Sequence, residues 1–256
     1  MSVDLKTISE LREKTGAGIA DCKSALEEAG GNIDLSIELL RKKGEIKAAK
    51  KADRAVKEGI VAFSGTDKKC AVVALACETD FVSRGEAFQK VAAEMADKLL
   101  TSSPDEFKAW ADGQIKELVL KISENIQLAG LGVYEGEVIG RYLHSNKKIG
   151  GIAALSGGSQ EIADDIAMQI AAMAPKYLDA QSVPADVLEK EKEIYSEQLK
   201  AENKPEAIWD KIIEGKLNKF YEENCLINQV FIKDDAKKIK DLLGDNKITA
   251  WGRYQL

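Results

Sequence analysis

The chain has 256 residues, enough for two or three compact units that each bury a hydrophobic core. Hydrophobic residues make up 45% of it and charged residues 31%, which is typical of a globular protein, and the net charge of −6 differs from the basic balance of most nucleic-acid-binding proteins. The sequence has no apolar run near the ~20 residues of a membrane helix, and its N-terminus lacks the apolar region of a signal peptide. Its four cysteines are scattered, which in a chain of this size indicates reduced thiols and a cytoplasmic protein.

Three short helices are predicted in the first 44 residues. The first has an apolar stripe of Leu5, Ile8 and Leu11 at intervals of three residues. Asn32 is a good N-cap for the third helix. Glycine ends helices readily because it adopts a left-handed conformation, and the glycines expected to end these three helices are Gly16, Gly30, Gly31 and Gly44. The pattern predicts a small independent three-helix module.

A strongly basic segment follows. Its basic residues are Arg41, Lys42, Lys43, Lys47, Lys50, Lys51, Arg54 and Lys57. One interpretation is an electrostatic patch for RNA or for an acidic partner. The other is a solvated helical linker, since the interspersed alanines favour a helix without supplying a core face. No aromatic residues are interleaved for base stacking, so we favour the linker.

From residue 59 the hydrophobic pattern changes to that of strands. Segments 59–65 and 70–77 flank a polar turn and predict a β-hairpin, and a helix follows over residues 86–100. A further helix opens at Pro104 and is predicted to continue through Ile126. A second hairpin, at residues 137–144 and 149–157, also precedes a helix, which ends before Pro175. The repeated order predicts an α+β core of two related halves.

Two polar helices are predicted next, at residues 185–202 and 206–223, with Lys204 and Pro205 turning the chain between them. They form an αα-hairpin that projects from the core. Its apolar stripe can seat on a partner or close on itself, and the self-closed hairpin is the default interpretation.

Catalytic, metal and nucleotide sites find little support in the sequence. His144 is the only histidine, the four cysteines are scattered without a C-x-x-C pair, and no G-x-S-x-G elbow is present. Neither of two glycine clusters completes G-x-G-x-x-G, and the phosphate-binding motif G-x-x-x-x-G-K-[ST] is absent. We therefore expect reduced thiols, no cofactor and no metal. An enzyme built around His144 remains a minor alternative.

The segment Cys70–Phe88 raises a separate question. A run of small and β-branched residues stops at Glu78, and Phe81 and Val82 follow almost directly. Phe81 can fold back onto its own core at the start of the next helix, or it can face a partner. The residues alone favour the core.

Two long motifs in this sequence resemble those of bacterial elongation factor Ts. They are LREKTGAGIADCKSALEEAGGNIDLSIELLRKKG, at residues 11–44, and CETDFV, at residues 77–82. The resemblance extends to about Arg253 and includes KAAKKA at residues 47–52 and SENI at residues 123–126.

The resemblance implies an α+β protein with a ubiquitin-associated-like N-terminal module, a two-subdomain core and an inserted coiled coil. The expected boundaries are 1–44 for the module, 45–58 for the basic linker, 59–136 for subdomain N, 137–183 and 225–256 for subdomain C, and 184–224 for the coiled-coil αα-hairpin. Many relatives continue beyond the end of this chain, with a C-terminal helix that we do not expect here.

The resemblance also implies a function in protein synthesis. Members of the family are non-enzymatic guanine-nucleotide exchange factors for elongation factor Tu, the GTPase that delivers aminoacyl-tRNA to the ribosome. By this resemblance, the segment Thr79, Asp80, Phe81 and Val82 would insert beside the magnesium and phosphate site of the partner. The implied further partner contacts are Arg12, Ile19, Ala20, Ile122, Ser123, His144, Ile232 and Lys233.

The resemblance leaves the stoichiometry open between a simple pair and a dimer of such pairs. An alternative function is an RNA-associated or chaperone-like adaptor that uses the basic segment and the αα-hairpin.

Overall fold

The computed structural model describes residues 3–256, so Met1 and Ser2, where the expected module of residues 1–44 begins, lie outside the described residues. The chain forms two compact units. Unit 1 contains the residues up to 134 together with 144–149 and 254–256, and unit 2 contains residues 135–143 and 150–253. Each unit combines helices with an antiparallel hairpin, as the predicted α+β class requires.

Unit 1 begins with three helices, α1 (Leu5–Thr15), α2 (Ile19–Glu28) and α3 (Ile33–Lys51). Asn32 caps α3 by accepting a hydrogen bond from the Leu35 amide at 3.0 Å. The buried residues between the three helices include Ile8, Leu11, Leu26 and Leu40. Leu5, which the periodicity places on the same stripe, is instead 80% exposed because it lies in the first turn of α1.

The prediction that Gly44 ends the third helix was wrong. Helix α3 continues through Gly44 and includes the first part of the basic segment. Gly44 is buried, and a Cβ at this position would lie 3.2 Å from the Lys116 carbonyl oxygen of a neighbouring helix. The missing side chain therefore allows a close helix–helix approach.

The remainder of unit 1 is a three-stranded sheet with helices on one of its faces. Strands β1 (Glu58–Gly65) and β2 (Lys69–Cys77) form the predicted antiparallel hairpin, with Glu58 opposite Cys77 and Gly65 opposite Cys70. A one-turn helix α4 (Asp80–Ser83) precedes α5 (Glu86–Thr101) and α6 (Pro104–Ile122), and β3 (Ile126–Glu135) follows as the third strand beside β2. The core between sheet and helices includes Val73, Leu75, Phe88, Met95 and Phe107.

Strand β3 was not predicted from the sequence. The apolar pattern predicted a helix through Ile126, whereas α6 ends at Ile122 and Ile126 begins the strand. The strand is rich in glycine, which weakens the usual signal. A Cβ on Gly132 would lie 2.4 Å from the Tyr254 hydroxyl, so this glycine makes room for a tyrosine more than a hundred residues away in the chain.

Unit 2 repeats the order of hairpin and helix. In chain order its elements are β4 (Val138–Leu143), β5 (Ile149–Leu155), α7 (Gln160–Met173), a 3-10 helix (Ala180–Ser182), α8 (Ala185–Ala201), a 3-10 helix (Glu206–Ile208), α9 (Trp209–Asn224), a 3-10 helix (Leu226–Asn228), β6 (Val230–Phe231), β7 (Asp234–Lys238), α10 (Ile239–Leu243) and β8 (Ile248–Gln255). Strands β4, β5 and β8 form one sheet in that order, and β6 pairs with β7. Buried side chains of α7, such as Ile166 and Ile170, pack with Leu155 and Phe231 in the core of this unit.

Helices α8 and α9 form the predicted αα-hairpin, and their side chains bond across it. The Lys216 ammonium donates to Gln198 Oε1 at 2.6 Å and lies 5.2 Å from the centre of the Tyr195 ring. These contacts agree with the self-closed hairpin. Among residues 3–256, no helix combines the length and the apolar character that crossing a membrane requires.

Candidate functional site

The candidate site is built around the turn that follows β2, which we call the tip segment (Glu78–Gly85). Strand β2 is almost wholly buried and brings the chain to the end of the sheet. Thr79 precedes α4 in an extended conformation, and the chain turns again at Gly85 before α5 begins. The tip segment thus contains a single helical turn held between two elements of the core.

Phe81 and Val82 face in different directions on this turn. The Phe81 side chain is 85% exposed, whereas Val82 packs against the core of unit 1 and Ser83 is buried. The interpretation that Phe81 folds back onto its own core was therefore wrong. An aromatic ring this exposed is unusual, because burying a side chain of that size contributes about 1.5–3 kcal/mol.

The first part of the tip segment is bound by the carboxylate of Glu124. One oxygen of this group accepts hydrogen bonds from the amides of Glu78 at 3.1 Å and Thr79 at 3.0 Å. The other accepts a hydrogen bond from the Thr79 hydroxyl at 2.5 Å. Hydrogen bonds to a charged acceptor are stronger than neutral ones, so these three contacts fix the start of α4.

Glu78 makes the reciprocal contact. Its carboxylate accepts from the Asn125 amide at 2.6 Å and lies 3.4 Å from the Arg54 guanidinium. The buried Asn125 side chain in turn donates to the carbonyls of Ala52 at 3.3 Å and Arg54 at 2.6 Å. The end of β2, the turn after α6 and the end of the basic segment are thereby joined in one network.

The second part of the tip segment is bound by different residues. Arg84 lies 3.2 Å from the Asp80 carboxylate, and its carbonyl accepts from the Gln89 side chain at 3.2 Å. Gln89 also accepts from the Lys147 ammonium at 2.8 Å. The Lys147 amide donates to the His144 carbonyl. The exposed turn that carries His144 is therefore linked to the tip segment through Lys147 and Gln89.

The implied contact residues of the N-terminal module, Arg12, Ile19 and Ala20, are all exposed, and Ile19 is 59% exposed at the start of α2. A Cβ on Gly16 would lie 3.0 Å from Lys121, which directly precedes Ile122 and Ser123. The turn between α1 and α2 therefore lies beside the end of α6. Ser123 directly precedes Glu124, the residue whose carboxylate bonds to the tip segment.

Ile232 and Lys233 belong to unit 2, where they connect β6 to β7. Ile232 is 51% exposed, and its amide donates to Gln169 at 2.9 Å. Lys233 forms an ion pair with Asp165 at 2.5 Å. The backbone of this exposed connection is therefore fixed to α7.

Several cations of the basic segment are used within the chain. Lys43 donates to Ser24, and Lys47 lies 2.7 Å from Asp21. Lys51 donates to the Ser123 carbonyl, and Arg54 pairs with Glu78. These contacts favour a structural role for the segment over an RNA-binding patch.

The thiol closest to the tip segment is not poised to react. Cys77 is buried and donates to the Thr79 carbonyl at 3.2 Å, and burial, followed by the nearby Glu124 carboxylate, raises the pKa of its thiol to about 12. Within the described part of the chain, no group of three His, Cys, Asp or Glu side chains could hold a metal ion.

A large apolar cleft lies elsewhere in unit 1. It has a volume of about 820 Å³ and is lined by α6 and β3, including Phe107, Leu131 and Val133. None of the tip segment residues lines it. Size alone therefore does not make it part of the candidate site.

Sequence reasoning missed the residues that support the tip segment, above all Glu124 and Asn125. The signal available for them was indirect. Both lie in the SENI segment, which was identified only by its resemblance to the family. Their partners are more than forty residues earlier in the chain.

The sequence matches a family model and several similar proteins that share one name. The family model described as "Elongation factor TS" matches residues 78–256. An elongation factor Ts of Hydrogenobaculum sp. (strain Y04AAS1) is 45% identical over 266 residues, covering 98% of this chain and 97% of the relative. Similar proteins of the same name occur in a Nitratiruptor species, with 44% identity over 100% of this chain and 93% of the relative, and in Aquifex aeolicus (strain VF5), with 41% identity over 100% and 98%.

Proposed function

The chain belongs to the elongation factor Ts family and is a translation elongation factor, and from that premise we propose that it accelerates the release of GDP from elongation factor Tu in the cytoplasm. In this proposal Asp80 and Phe81 insert near the magnesium and phosphate site of the GTPase. The chain makes or breaks no covalent bond, so it acts as an exchange factor and not as an enzyme.

The observation that carries the proposal is the exposure of Phe81 on a fixed backbone. Magnesium bridges protein oxygens and nucleotide phosphates, so a displacement of its ligands loosens the nucleotide. A ring presented at the end of the sheet, with both flanks hydrogen-bonded, can enter a partner without first being ordered. Such pre-organisation lowers the entropic cost of binding.

The size of one ring limits what Phe81 can do. Burying a phenylalanine side chain contributes roughly 1.5–3 kcal/mol, which corresponds to about one to two decades in rate at ~1.4 kcal/mol per decade. The rest of the acceleration must come from surfaces that bind the nucleotide-free GTPase more tightly than the GDP-bound form. We assign this task to the implied contacts Arg12, Ile19, Ala20, Ile122, Ser123, His144, Ile232 and Lys233, with Thr79 and Val82 supporting Phe81.

The proposal is tested by the release of a fluorescent GDP analogue from elongation factor Tu. Catalytic amounts of the wild-type chain are expected to accelerate release, and Phe81→Ala to slow the accelerated rate by about one to two decades. Leu131→Ala, which truncates another exposed apolar side chain away from the tip segment, serves as the matched control and should retain the wild-type rate.

Because Phe81 is exposed, its replacement should leave the free energy of unfolding within about 0.5 kcal/mol of wild type. An unchanged release rate for Phe81→Ala would rule out the inserted ring while leaving the family assignment intact. Light scattering of the purified nucleotide-free complex would distinguish a simple pair from a dimer of pairs.

A further inference from the structure

We propose that Glu124 is the positioning residue of the tip segment and that its carboxylate determines how effectively Phe81 acts on the partner. The inference rests on the proposed exchange function. It adds a residue that makes no contact of its own with the nucleotide site and acts only through Phe81.

The first reason is that α4 cannot orient itself. It has four residues, and no side-chain hydrogen bond caps its start at Thr79. A single helical turn is unstable in isolation because nucleation is unfavourable. Its direction must therefore be imposed by contacts with the rest of the chain, which are the packing of Val82, the burial of Ser83 and the hydrogen bonds at its ends.

The second reason is that Glu124 satisfies the donors at the first of those ends. Its two oxygens accept from the amides of Glu78 and Thr79 and from the Thr79 hydroxyl, and Thr79 is only two residues before Phe81. Among the described residues, no other side chain accepts a hydrogen bond from these two amides. The carboxylate thus fixes, from outside the helix, the two residues that lead into α4.

The third reason is that the backbone of Glu124 is itself fixed on both sides. Ser123 ends α6 in a left-handed conformation with a φ of 64°, and its carbonyl accepts from Lys51. Asn125 is buried and bonds to the carbonyls of Ala52 and Arg54. A side chain that positions a functional group works best from such a rigid support.

A double-mutant cycle tests the inference with the full chain and elongation factor Tu. If Glu124 acts through Phe81, then Glu124→Ala should slow the accelerated release of GDP by about tenfold, and by no more than Phe81→Ala does. The same change made in the Phe81→Ala background should slow release by less than about twofold, since the ring it positions is gone.

Two further variants refine the test. Glu124→Gln keeps the shape, and its amide oxygen can accept from both backbone amides while its NH2 donates to the Thr79 hydroxyl oxygen, but the acceptor is no longer charged. Its rate should therefore lie between those of wild type and Glu124→Ala. Glu94→Ala removes an equally charged but exposed side chain from α5 and should leave the release rate unchanged.

Each outcome decides a separate question. No effect of Glu124→Ala, or an equal effect with and without Phe81, would overturn the positioning role. A wild-type chain that fails to accelerate release would overturn the proposed function instead. In that case backbone ¹⁵N relaxation still decides the inference: the order parameter of the Phe81 amide should fall from about 0.85 to below about 0.6 in Glu124→Ala, and an unchanged value contradicts it.

Discussion

Gly44 and Gly113 offer a matched pair of substitutions that measures how closely α3 and α6 approach. Both glycines lie inside helices, so replacement by alanine brings the same intrinsic gain of about 0.8–1 kcal/mol. Their surroundings differ. A Cβ on Gly113 meets nothing within 4 Å, whereas one on Gly44 would lie 3.2 Å from the Lys116 carbonyl oxygen and 3.5 Å from Leu120 Cβ.

Gly113→Ala should therefore raise the free energy of unfolding by about 1 kcal/mol. At Gly44 the helices must separate by a few tenths of an ångström, and overpacking of this kind typically costs about 1–3 kcal/mol. The net change for Gly44→Ala is then between roughly zero and a loss of 2 kcal/mol, so the two variants should differ by about 1–3 kcal/mol.

The assay must report on unit 1 alone, because a chain with two compact units need not unfold in one step. Trp110 packs in the core of unit 1 beside Phe107, while Trp209 and Trp251 belong to unit 2. Replacing the latter two by phenylalanine leaves Trp110 fluorescence as a probe of unit 1 during urea unfolding. Equal stabilisation by both alanine substitutions would refute the close approach at Gly44.

Two other predictions concern packing and protonation. Gly140→Ala would place a Cβ 1.9 Å from the Ala163 carbonyl carbon, so it should destabilise unit 2 by about 3 kcal/mol or more. The urea concentration at the midpoint of unfolding of unit 2 should fall accordingly. The thiol of Cys77 has a pKa raised from 9.0 to about 12, chiefly by burial, so the folded chain holds that proton more tightly than the unfolded chain. This tighter binding of the proton stabilises the folded chain fully below pH 9, and the stabilisation is lost as the pH rises from 9 to 12. The free energy of unfolding, measured by urea titration at a series of pH values, should therefore fall less over this range in Cys77→Ala than in wild type.

The elements that the sequence predicted best are those with a local cause. Both hairpins show alternating or continuous apolar runs around polar turns. In the αα-hairpin, α8 begins directly after Pro184, and the 3-10 helix that leads into α9 begins directly after Pro205. Asn32 caps α3 as its position suggested. In each of these cases the residues that determine the element lie within it or next to it, so a single sequence contains the information.

The predictions that were wrong depend on partners far away in the chain. Gly44 has the sequence signal of a helix end until α6 is placed against it, and Gly132 is a glycine within a strand because a side chain there would meet Tyr254. The support of the tip segment is of the same kind, since Glu124 reaches Thr79 across 45 residues of sequence. Long-range contacts of this sort leave no periodic signal, whereas the Phe81 motif was found because it is short and continuous.

The exposure of Phe81 and the network beneath it belong together energetically. A phenylalanine on a mobile loop would turn inwards, because even partial burial against its own core gains free energy. The hydrogen bonds to Glu124 from the backbone of Glu78 and Thr79 prevent that collapse by fixing the turn that carries the ring, together with the packing of Val82 against the core and the burial of Ser83. Free energy that the ring does not gain in the free chain remains available when it enters a partner. If the nucleotide-free GTPase is the form that accepts the ring, as the proposed function holds, linkage requires that bound GDP would weaken the association by the same factor by which this chain would weaken GDP binding.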